Sequence, residues 1–389
     1  MTNGFGFSER SVSESDLDRV TRVLMVSGGT GGHIFPALAV ADELRKRGRP
    51  DGHKYQIEFL GTHRPLEAKL IPAAGYRLQT VDAAGLKGMG GIQRLRNLLV
   101  LPRTALNVAG ILWQFRPRVV VGVGGYLAGP VMLEAALARI PTLLIEPNVR
   151  PGFTNRLLAP VVRAAALGFS QTAQLYGKKA HATGLPVRQA FFEIPPRHHA
   201  WEAGQSPDAD RRLTVLVVGG SQGSRAINQA APAAFRLLIA ERGPLRIIHQ
   251  TGEHDYNEVL KTYQECSLSA EVHKFIEDMP GALSQADVVI SRAGATAVAE
   301  LAAAGRAAVL VPFPGAADQH QLENARAMEK AGAARLIVQS DLSPARLAEE
   351  IKLLISSPAG LEKMETSARK LARPDAAARI ADLVEQLAG

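Results

Sequence analysis

The chain has 389 residues, which is too long for one ordinary core and predicts two or three domains. Apolar residues make up 46% and charged residues 21%, so the composition is globular, and the single cysteine, Cys266, excludes an internal disulfide and a cysteine-rich zinc site. The formal net charge of +8 favours an anionic partner but does not choose among nucleic acid, lipid headgroups and nucleotide phosphates.

The first twenty residues are rich in serine, mixed in charge and free of an apolar run. We therefore expect a loose tail and not a signal peptide. The longest stretch without a charged side chain, 23–41, contains four glycines, a histidine and a proline. Because a spanning helix needs about 20 mainly apolar residues, we predict no transmembrane segment.

Short runs typical of strands alternate with helical patterns along most of the chain. Most runs are continuously apolar, which is typical of parallel strands covered on both faces, and the alternation predicts α/β layers. In such layers ligands bind at the carboxyl ends of the strands. The predicted strands are 23–27, 55–61, 119–123, 142–146, 214–218, 287–291 and 308–313.

Two similar segments lie about 190 residues apart. Strand 23–27 runs into Gly-Gly-Thr-Gly-Gly-His (28–33), and strand 214–218 runs into Gly-Gly-Ser-Gln-Gly-Ser (219–224). We call these segments the first and second glycine turns. They predict two Rossmann-like domains in tandem, with a hinge near 183–188 and a ligand in the cleft between the domains.

The first glycine turn has the composition of a phosphate or sugar site. Its glycines let backbone N–H groups approach a ligand oxygen, and the helix that follows places partial positive charge at its N-terminus. His33 is a candidate base or a donor to a diphosphate. The plain alternative is a tight turn with His33 as a cap, but a second turn in the matching place favours binding.

The second glycine turn lacks the lysine of a P-loop, so it does not match the nucleoside-triphosphatase fingerprint. Its Ser221 and Gln222 are candidates for hydrogen bonds to a ligand. Its match to G-x-S-x-G leaves a hydrolase nucleophile as an alternative, although the first turn has Thr30 in that place. An oxidoreductase is disfavoured, because strand 55–61 is not followed by the acidic residue that binds a ribose 2′-hydroxyl.

Two later segments follow predicted strands. In 291–300, Gly294 to Thr296 would form a helix N-terminus that binds a phosphate. Glu300 would accept hydrogen bonds from the two hydroxyls of a ribose. The alternative is an alanine-rich core helix with an incidental glutamate. In 312–325, Asp318 is a candidate N-cap, and Gln321 and Asn324 share a helix face, as sugar contacts require; the alternative is a capped surface helix.

The first half also has polar residues directly after strands, at Tyr126 and at Glu146 and Asn148. These positions lie on the rim where such folds bind ligands, or serve only as turns. The chain has no HExxH, and its two Asp-x-Asp segments lie away from strand ends. We therefore expect helix N-termini and Arg188 to stabilise a leaving diphosphate, and we expect that no metal is required.

The stretch 83–133 has no acidic residue and includes the leucine-rich segment 91–115. Basic residues beside an apolar patch predict a peripheral membrane surface, and the alternative is a core helix with a basic solvated face. Nucleic acid is disfavoured because stacking aromatics are few. The basic residues are Lys87, Arg94, Arg96, Arg103, Arg116 and Arg118, and the segment ends in Trp113 and Phe115.

Taken in order, the segments GGTGGHIFPALAVA, GVGGY, IEPN, LPVR, VVGGSQGSRAIN, FIEDM, SRAGAT and DQHQLENA resemble the motifs of the MurG family of GT-B glycosyltransferases. The resemblance implies two Rossmann-like domains whose parallel sheets face a central cleft. It leaves out the expected flexible tail at 1–20, and it implies an acceptor- and membrane-binding domain at 21–184, a UDP-sugar-binding domain at 185–370, and a helix at 371–389 that returns to the first domain.

The resemblance also implies an activity. This is the inverting transfer of N-acetylglucosamine from UDP-N-acetylglucosamine to the muramoyl 4-hydroxyl of lipid I, which forms lipid II in peptidoglycan synthesis; the alternative is another GT-B enzyme that transfers a UDP-sugar to a lipid acceptor. No cofactor or metal is required, and no nucleic acid is bound. Other expected partners are an anionic membrane surface, at the cytoplasmic face of the plasma membrane, and proteins of cell-wall synthesis.

Residue roles follow from the same resemblance. His33 is either the base or a ligand of the acceptor diphosphate, and Glu146 is either the base or its orienter. His320 stands where some family members have glutamine. The acceptor contacts are Thr30, His33, Tyr126 and Asn148, and the donor contacts are Thr30, Gly31, Gly32, Asn148, Arg188, Ser221, the backbone at Ile276, Ala295, Thr296, Glu300 and Gln321.

Overall fold

Two parallel β-sheets form the core of the protein, one in each half of the chain. The computed structural model describes residues 20–28, 31–48, 54–82, 91–197, 212–243 and 245–389, with the backbone alone at 54, at 91–102 and at 242. Among these residues, no helix is both long enough and apolar enough to cross a bilayer.

The first sheet has seven parallel strands, and β1 lies between β2 and β4. Strands β4 and β5 are buried along their whole length, as expected of continuous apolar runs between two helical layers. The strands are β1 (Val20–Val26), β2 (Lys54–Gly61), β3 (Arg77–Thr80), β4 (Val119–Gly122), β5 (Thr142–Glu146), β6 (Ala164–Leu167) and β7 (Ala180–His181), in the order β3-β2-β1-β4-β5-β6-β7.

Helices cover this sheet on both faces. The first of them buries Ile34, Leu38 and Ala41, which are spaced four and three residues apart and so share one face against the sheet. The helices of the first half are α1 (Gly31–Lys46), α2 (Pro65–Ala73), α3 (Gly91–Phe115), α4 (Ala128–Leu137), α5 (Phe153–Leu158) and α6 (Ala173–Tyr176).

The second sheet has six parallel strands in the order β10-β9-β8-β11-β12-β13. They are β8 (Leu213–Val218), β9 (Leu245–Gln250), β10 (Ala270–His273), β11 (Val288–Ser291), β12 (Ala308–Leu310) and β13 (Arg335–Leu336). The helices of this half are α7 (Arg225–Arg242), α8 (Tyr256–Glu265), α9 (Met279–Gln285), α10 (Ala295–Ala304), α11 (His320–Lys330), α12 (Pro344–Ile355) and α13 (Pro358–Leu371).

The last helix, α14 (Ala376–Ala388), lies against the first half of the chain. Its buried Ile380 and Val384 belong to the same core as α1, and the Tyr55 hydroxyl donates to Glu385 over 2.7 Å. Arg47 directly follows α1, and its guanidinium lies 2.6 Å from the carboxylate of Asp382. The domain boundaries at 20, 184 and 370 themselves stay predictions.

The two glycine turns occupy equivalent places in the two halves. The first links β1 to α1, and the second links β8 to α7, where the Ser224 hydroxyl accepts from the Ile227 N–H and caps the helix. Both strands lie inside their sheets. Both turns therefore lie at the carboxyl edge of a parallel sheet, where this fold class binds ligands.

Candidate active site

Loops and helix starts from the two halves meet directly at the first glycine turn. The Thr296 hydroxyl, in the first turn of α10, donates to the Gly32 carbonyl over 3.0 Å. Gly125, with φ of +83°, approaches from the loop after β4, and a Cβ there would lie only 2.9 Å from the Gly28 carbonyl oxygen. The close packing requires glycine at that position. Thr30 lies outside the described residues.

His33 lies at the start of α1 in this crowded region. Burial and, second, the neighbouring His320 lower its pKa to about 4, while a hydrogen bond with the Gly28 carbonyl opposes that shift. The imidazole is therefore neutral at pH 7, which a proton acceptor requires. The bond to the Gly28 carbonyl also orients the ring and sets which nitrogen carries the proton.

Glu146 ends β5 with its carboxylate fully buried. One oxygen accepts from the Asn148 N–H (2.9 Å), and the other accepts from the Asn155 side-chain amide (2.7 Å). Burial raises the pKa of Glu146 to about 7, and these hydrogen bonds oppose the rise. The carboxylate thus organises the loop that carries Asn148. Tyr126, also predicted on this rim, is partly buried, with the Arg64 guanidinium 5.8 Å from its ring.

Arg188 lies between two aromatic rings from different halves. Its guanidinium carbon is 5.1 Å from the Phe35 ring on α1 and 5.0 Å from the Phe191 ring. Its Nε is buried and has no hydrogen-bond partner among the described residues. Burial raises the pKa of Glu300 on α10 to about 7, and the charge of Arg188 opposes that rise. A cation and a carboxylate thus share one partly desolvated region.

The second glycine turn is joined to the loop that carries Ile276 by the side chain of Gln250. The Gln250 amide donates to the Gly220 carbonyl over 2.9 Å, and its oxygen accepts from the Ile276 N–H over 2.7 Å. In the turn itself, Ser221 is exposed. The two predicted donor contacts, Ser221 and Ile276, therefore belong to one connected segment.

The loop before α11 differs from its prediction. Asp318 and Gln319 have φ of +53° and +56°, and α11 begins at His320 without a side-chain cap. The prediction of Asp318 as N-cap is wrong: its carboxylate pairs with Arg156 of the first half over 3.0 Å. The Gln321 side-chain oxygen accepts from the Phe313 N–H over 3.0 Å and so holds this loop.

Two family models match the two halves of the chain. The glycosyltransferase family 28 N-terminal domain matches residues 23–167, and the glycosyltransferase family 28 C-terminal domain matches residues 214–380. The protein belongs to glycosyltransferase family 28.

Individual relatives within family 28 carry the activity name that the motifs predicted. A UDP-N-acetylglucosamine–N-acetylmuramyl-(pentapeptide) pyrophosphoryl-undecaprenol N-acetylglucosamine transferase from Anaeromyxobacter sp. (strain Fw109-5) is 44% identical and aligns over 94% of this chain and 93% of its own. The protein of the same name from Solibacter usitatus is 42% identical over 94% of this chain and 96% of its own.

A solved structure extends the comparison to three dimensions. MurG of Acinetobacter baumannii has a TM-score of 0.73 and 34% identity, covering 94% of this chain and 99% of that chain. The protein therefore belongs to the MurG family. The predicted GT-B fold with two Rossmann-like halves is confirmed.

Two residues of the candidate site were missed in the sequence analysis. Phe35, two positions after His33, contacts Arg188 of the other half, and an aromatic residue whose partner is a cation far away in the sequence gives no local signal. Gln250 had a usable signal, because it is a polar residue at the carboxyl end of a strand, like Glu146. Among the described residues, no group of three or more His, Cys, Asp or Glu side chains is placed to hold a metal ion.

Proposed function

We propose that the protein transfers N-acetylglucosamine from UDP-N-acetylglucosamine to the muramoyl 4-hydroxyl of lipid I, with inversion, and so forms lipid II. The names of relatives 42–44% identical over 94% of the chain support this activity. The observation that carries it is the contact of α10 with the first glycine turn, from Thr296 to Gly32. This contact places neutral His33 near a helix N-terminus suited to a diphosphate.

The reaction needs a proton acceptor and a stabilised leaving group. In our proposal the 4-hydroxyl oxygen attacks the anomeric carbon, its proton passes to His33, and the bond from that carbon to the UDP oxygen breaks. The transition state is oxocarbenium-like, as in glycosidases. Positive charge from Arg188 and from the N-terminus of α10 stabilises the departing diphosphate, so we propose a metal-independent reaction.

The contacts of Glu146 suit a residue that orients the loop of Asn148 better than they suit a general base. Its two oxygens accept from Asn148, in the loop after β5, and from Asn155 on α5, and none of its surface is exposed. A group that abstracts a proton must come within hydrogen-bond distance of the substrate. We therefore assign Glu146 to holding the loop of Asn148, and His33 to proton transfer.

The remaining predicted contacts divide between the two halves. Most donor contacts follow strands β8, β10, β11 and β12, and the acceptor would meet the loops after β1, β4 and β5. Four donor contacts, Thr30, Gly31, Gly32 and Asn148, also follow β1 and β5, so the two substrates would share that rim. In this proposal the acceptor contacts are Thr30, His33, Tyr126 and Asn148, and the donor contacts are Thr30, Gly31, Gly32, Asn148, Arg188, Ser221, Ile276, Ala295, Thr296, Glu300 and Gln321.

The decisive experiment is an assay of UDP release by the purified protein. We expect release from UDP-N-acetylglucosamine only when a lipid I analogue is present, with a disaccharide product of inverted anomeric configuration. Release with a different UDP-sugar at higher kcat/KM would support another GT-B transferase. A crystal soaked with UDP-N-acetylglucosamine would then test the individual donor contacts.

Replacement of Glu300 tests the proposed ribose contact. We expect Glu300→Gln to raise the KM for UDP-N-acetylglucosamine about 10- to 100-fold, because hydrogen bonds to a charged group contribute about 1.5–3 kcal/mol. In the unmodified protein, kcat/KM for the donor should fall as the pH drops below about 7, where Glu300 becomes protonated. The variant should lose that pH dependence, and an unchanged donor KM would contradict the contact.

We also propose that the protein binds the cytoplasmic face of the plasma membrane peripherally. Trp113 and Leu106 on α3 are 75% and 74% exposed, and the Arg116 guanidinium lies 5.9 Å from the Trp113 ring. Cations beside exposed apolar side chains suit an anionic leaflet, where each basic residue contributes about 1 kcal/mol.

A vesicle-binding experiment tests this surface. The double variant Trp113→Ser, Leu106→Ser should bind phosphatidylglycerol vesicles at least about tenfold more weakly, since burial of each large apolar side chain contributes about 1.5–3 kcal/mol. The matched control changes Leu353 and Val338, two exposed apolar residues of the second half, to serine. Equal loss in both double variants would contradict a specific surface.

A further inference from the structure

Asn324 on α11 is a fully buried amide that joins the two halves of the protein. Its side-chain oxygen accepts from the Val149 N–H over 3.0 Å, and its amide nitrogen donates to the Asn148 side-chain oxygen over 3.1 Å. The same nitrogen donates to the Ala293 carbonyl, in the loop between β11 and α10, over 3.1 Å. The side chain is thus saturated by protein groups, and two of its three partners lie in the other half.

These bonds determine how Asn148 is oriented. The Asn148 oxygen faces Asn324, and its amide nitrogen faces the Glu146 carboxylate at 3.4 Å. A rotation of the Asn148 amide by half a turn would place oxygen against the carboxylate and N–H against N–H of Asn324. Both contacts would be repulsive, so the pair of neighbours selects a single orientation.

We propose that Asn324 is a positioning residue, which sets the orientation of Asn148 and the distance between the acceptor-side loop and the start of α10. The inference rests on the proposed function, in which Asn148 contacts the substrates. It replaces the sequence-based idea that Asn324 itself faces a sugar, because its polar atoms are already bonded to protein.

A nearby ion pair between the two halves, Arg156 with Asp318, is weaker. Arg156 and Asp318 are 36% and 23% exposed, and ion pairs in contact with water contribute little to stability. A buried amide, in contrast, is costly to leave without partners. The separation of the halves therefore depends more on Asn324 than on this ion pair.

The first test is Asn324→Asp, which keeps the shape of the side chain and the acceptor for Val149. The new carboxylate oxygen would face two acceptors, the Asn148 oxygen and the Ala293 carbonyl. We expect kcat to fall about 10- to 100-fold, since small errors of placement have effects of that size. Binding of UDP alone, measured by calorimetry, should stay within about threefold, because most of the proposed donor contacts lie in the second half and Asn324 is not one of them.

Arg326→Gln is the matched control. It lies on the same helix, changes the net charge by the same amount, and is exposed beside Glu323. Its kcat should stay within about twofold of the unmodified protein, as for most surface substitutions. The positioning role is overturned if Asn324→Asp behaves like this control, or if its UDP affinity falls by the same factor as its kcat.

A double-mutant cycle covers the case in which Asn324→Asp does not fold. The variants are Asn148→Ala, Asn324→Ala and the pair, each checked for folding by circular dichroism. If Asn324 acts through Asn148, its removal should cost less than about threefold in kcat once Asn148 is absent. Losses that multiply would overturn the inference. Activity of the unmodified protein tests the proposed function separately, because the inference depends only on ratios between variants.

Discussion

We expect His33→Ala to lower kcat by about 10²- to 10⁴-fold, the usual contribution of a general base. The imidazole is neutral at pH 7, is oriented through the Gly28 carbonyl, and lies in the turn that α10 contacts. These are the properties that removal of a hydroxyl proton requires. Turnover should be measured with both substrates saturating, so that the loss reports chemistry and not binding.

The alternative role of His33 gives a different kinetic result. If the imidazole holds the acceptor diphosphate, His33→Ala should raise the KM for lipid I analogue and leave kcat near its original value. His33→Gln is the control, because it retains a donor for the Gly28 carbonyl but has no basic nitrogen. Unchanged kcat in both variants would remove the base assignment.

The pH profile gives a second check on the same residue. Because the pKa of His33 is lowered to about 4, protonation should reduce kcat only well below its ordinary value near 6.5. Loss of the nearby His320 in a His320→Gln variant should raise the pKa of His33, since a positive neighbour disfavours protonation. The acid limb of kcat should then move to higher pH, and a shift in the opposite direction would contradict this account.

Most of the central architecture follows from local sequence patterns. The strands β1, β4, β5, β8 and β11 begin and end within three residues of their predicted bounds, and a glycine turn follows both β1 and β8. Six strands, β3, β6, β7, β9, β10 and β13, were not predicted from the sequence, and the two shortest, β7 (Ala180–His181) and β13 (Arg335–Leu336), have no β-branched residue. Strands this short form because a neighbouring strand pairs with them, and that pairing is not encoded locally.

The sequence predicted those residues of the candidate site that directly follow a strand. It did not predict the contacts between the two halves. Polar residues after strands identified His33 and Asn148 without any knowledge of the cleft. In contrast, the partners that Asn324, Asp318 and Phe35 have in the other half lie more than 150 residues away in the sequence. No periodicity or local spacing encodes such contacts, so their roles emerge only from the packed structure.

Arg188→Ala should lower kcat by about 10²- to 10³-fold, the effect of removing one preorganised donor from a developing anion. The cation is held between Phe35 and Phe191, with a buried Nε that has no hydrogen-bond partner among the described residues. A bound diphosphate would supply an acceptor for this Nε. Arg188→Lys should recover only part of the loss, because an ammonium neither stacks between rings nor binds two oxygens in a plane.

The same variant should change the pH dependence of donor use. The charge of Arg188 holds down the pKa of Glu300, which burial has raised to about 7, so its removal should raise that pKa further. Glu300 would then be protonated over a wider pH range, and kcat/KM for UDP-N-acetylglucosamine should begin to fall at a higher pH than in the unmodified protein. Because Arg188→Ala combined with Glu300→Gln lacks the titrating carboxylate, that double variant should show no such shift. If the shift persists there, another group is responsible, and the coupling of Arg188 to Glu300 is not what controls donor binding.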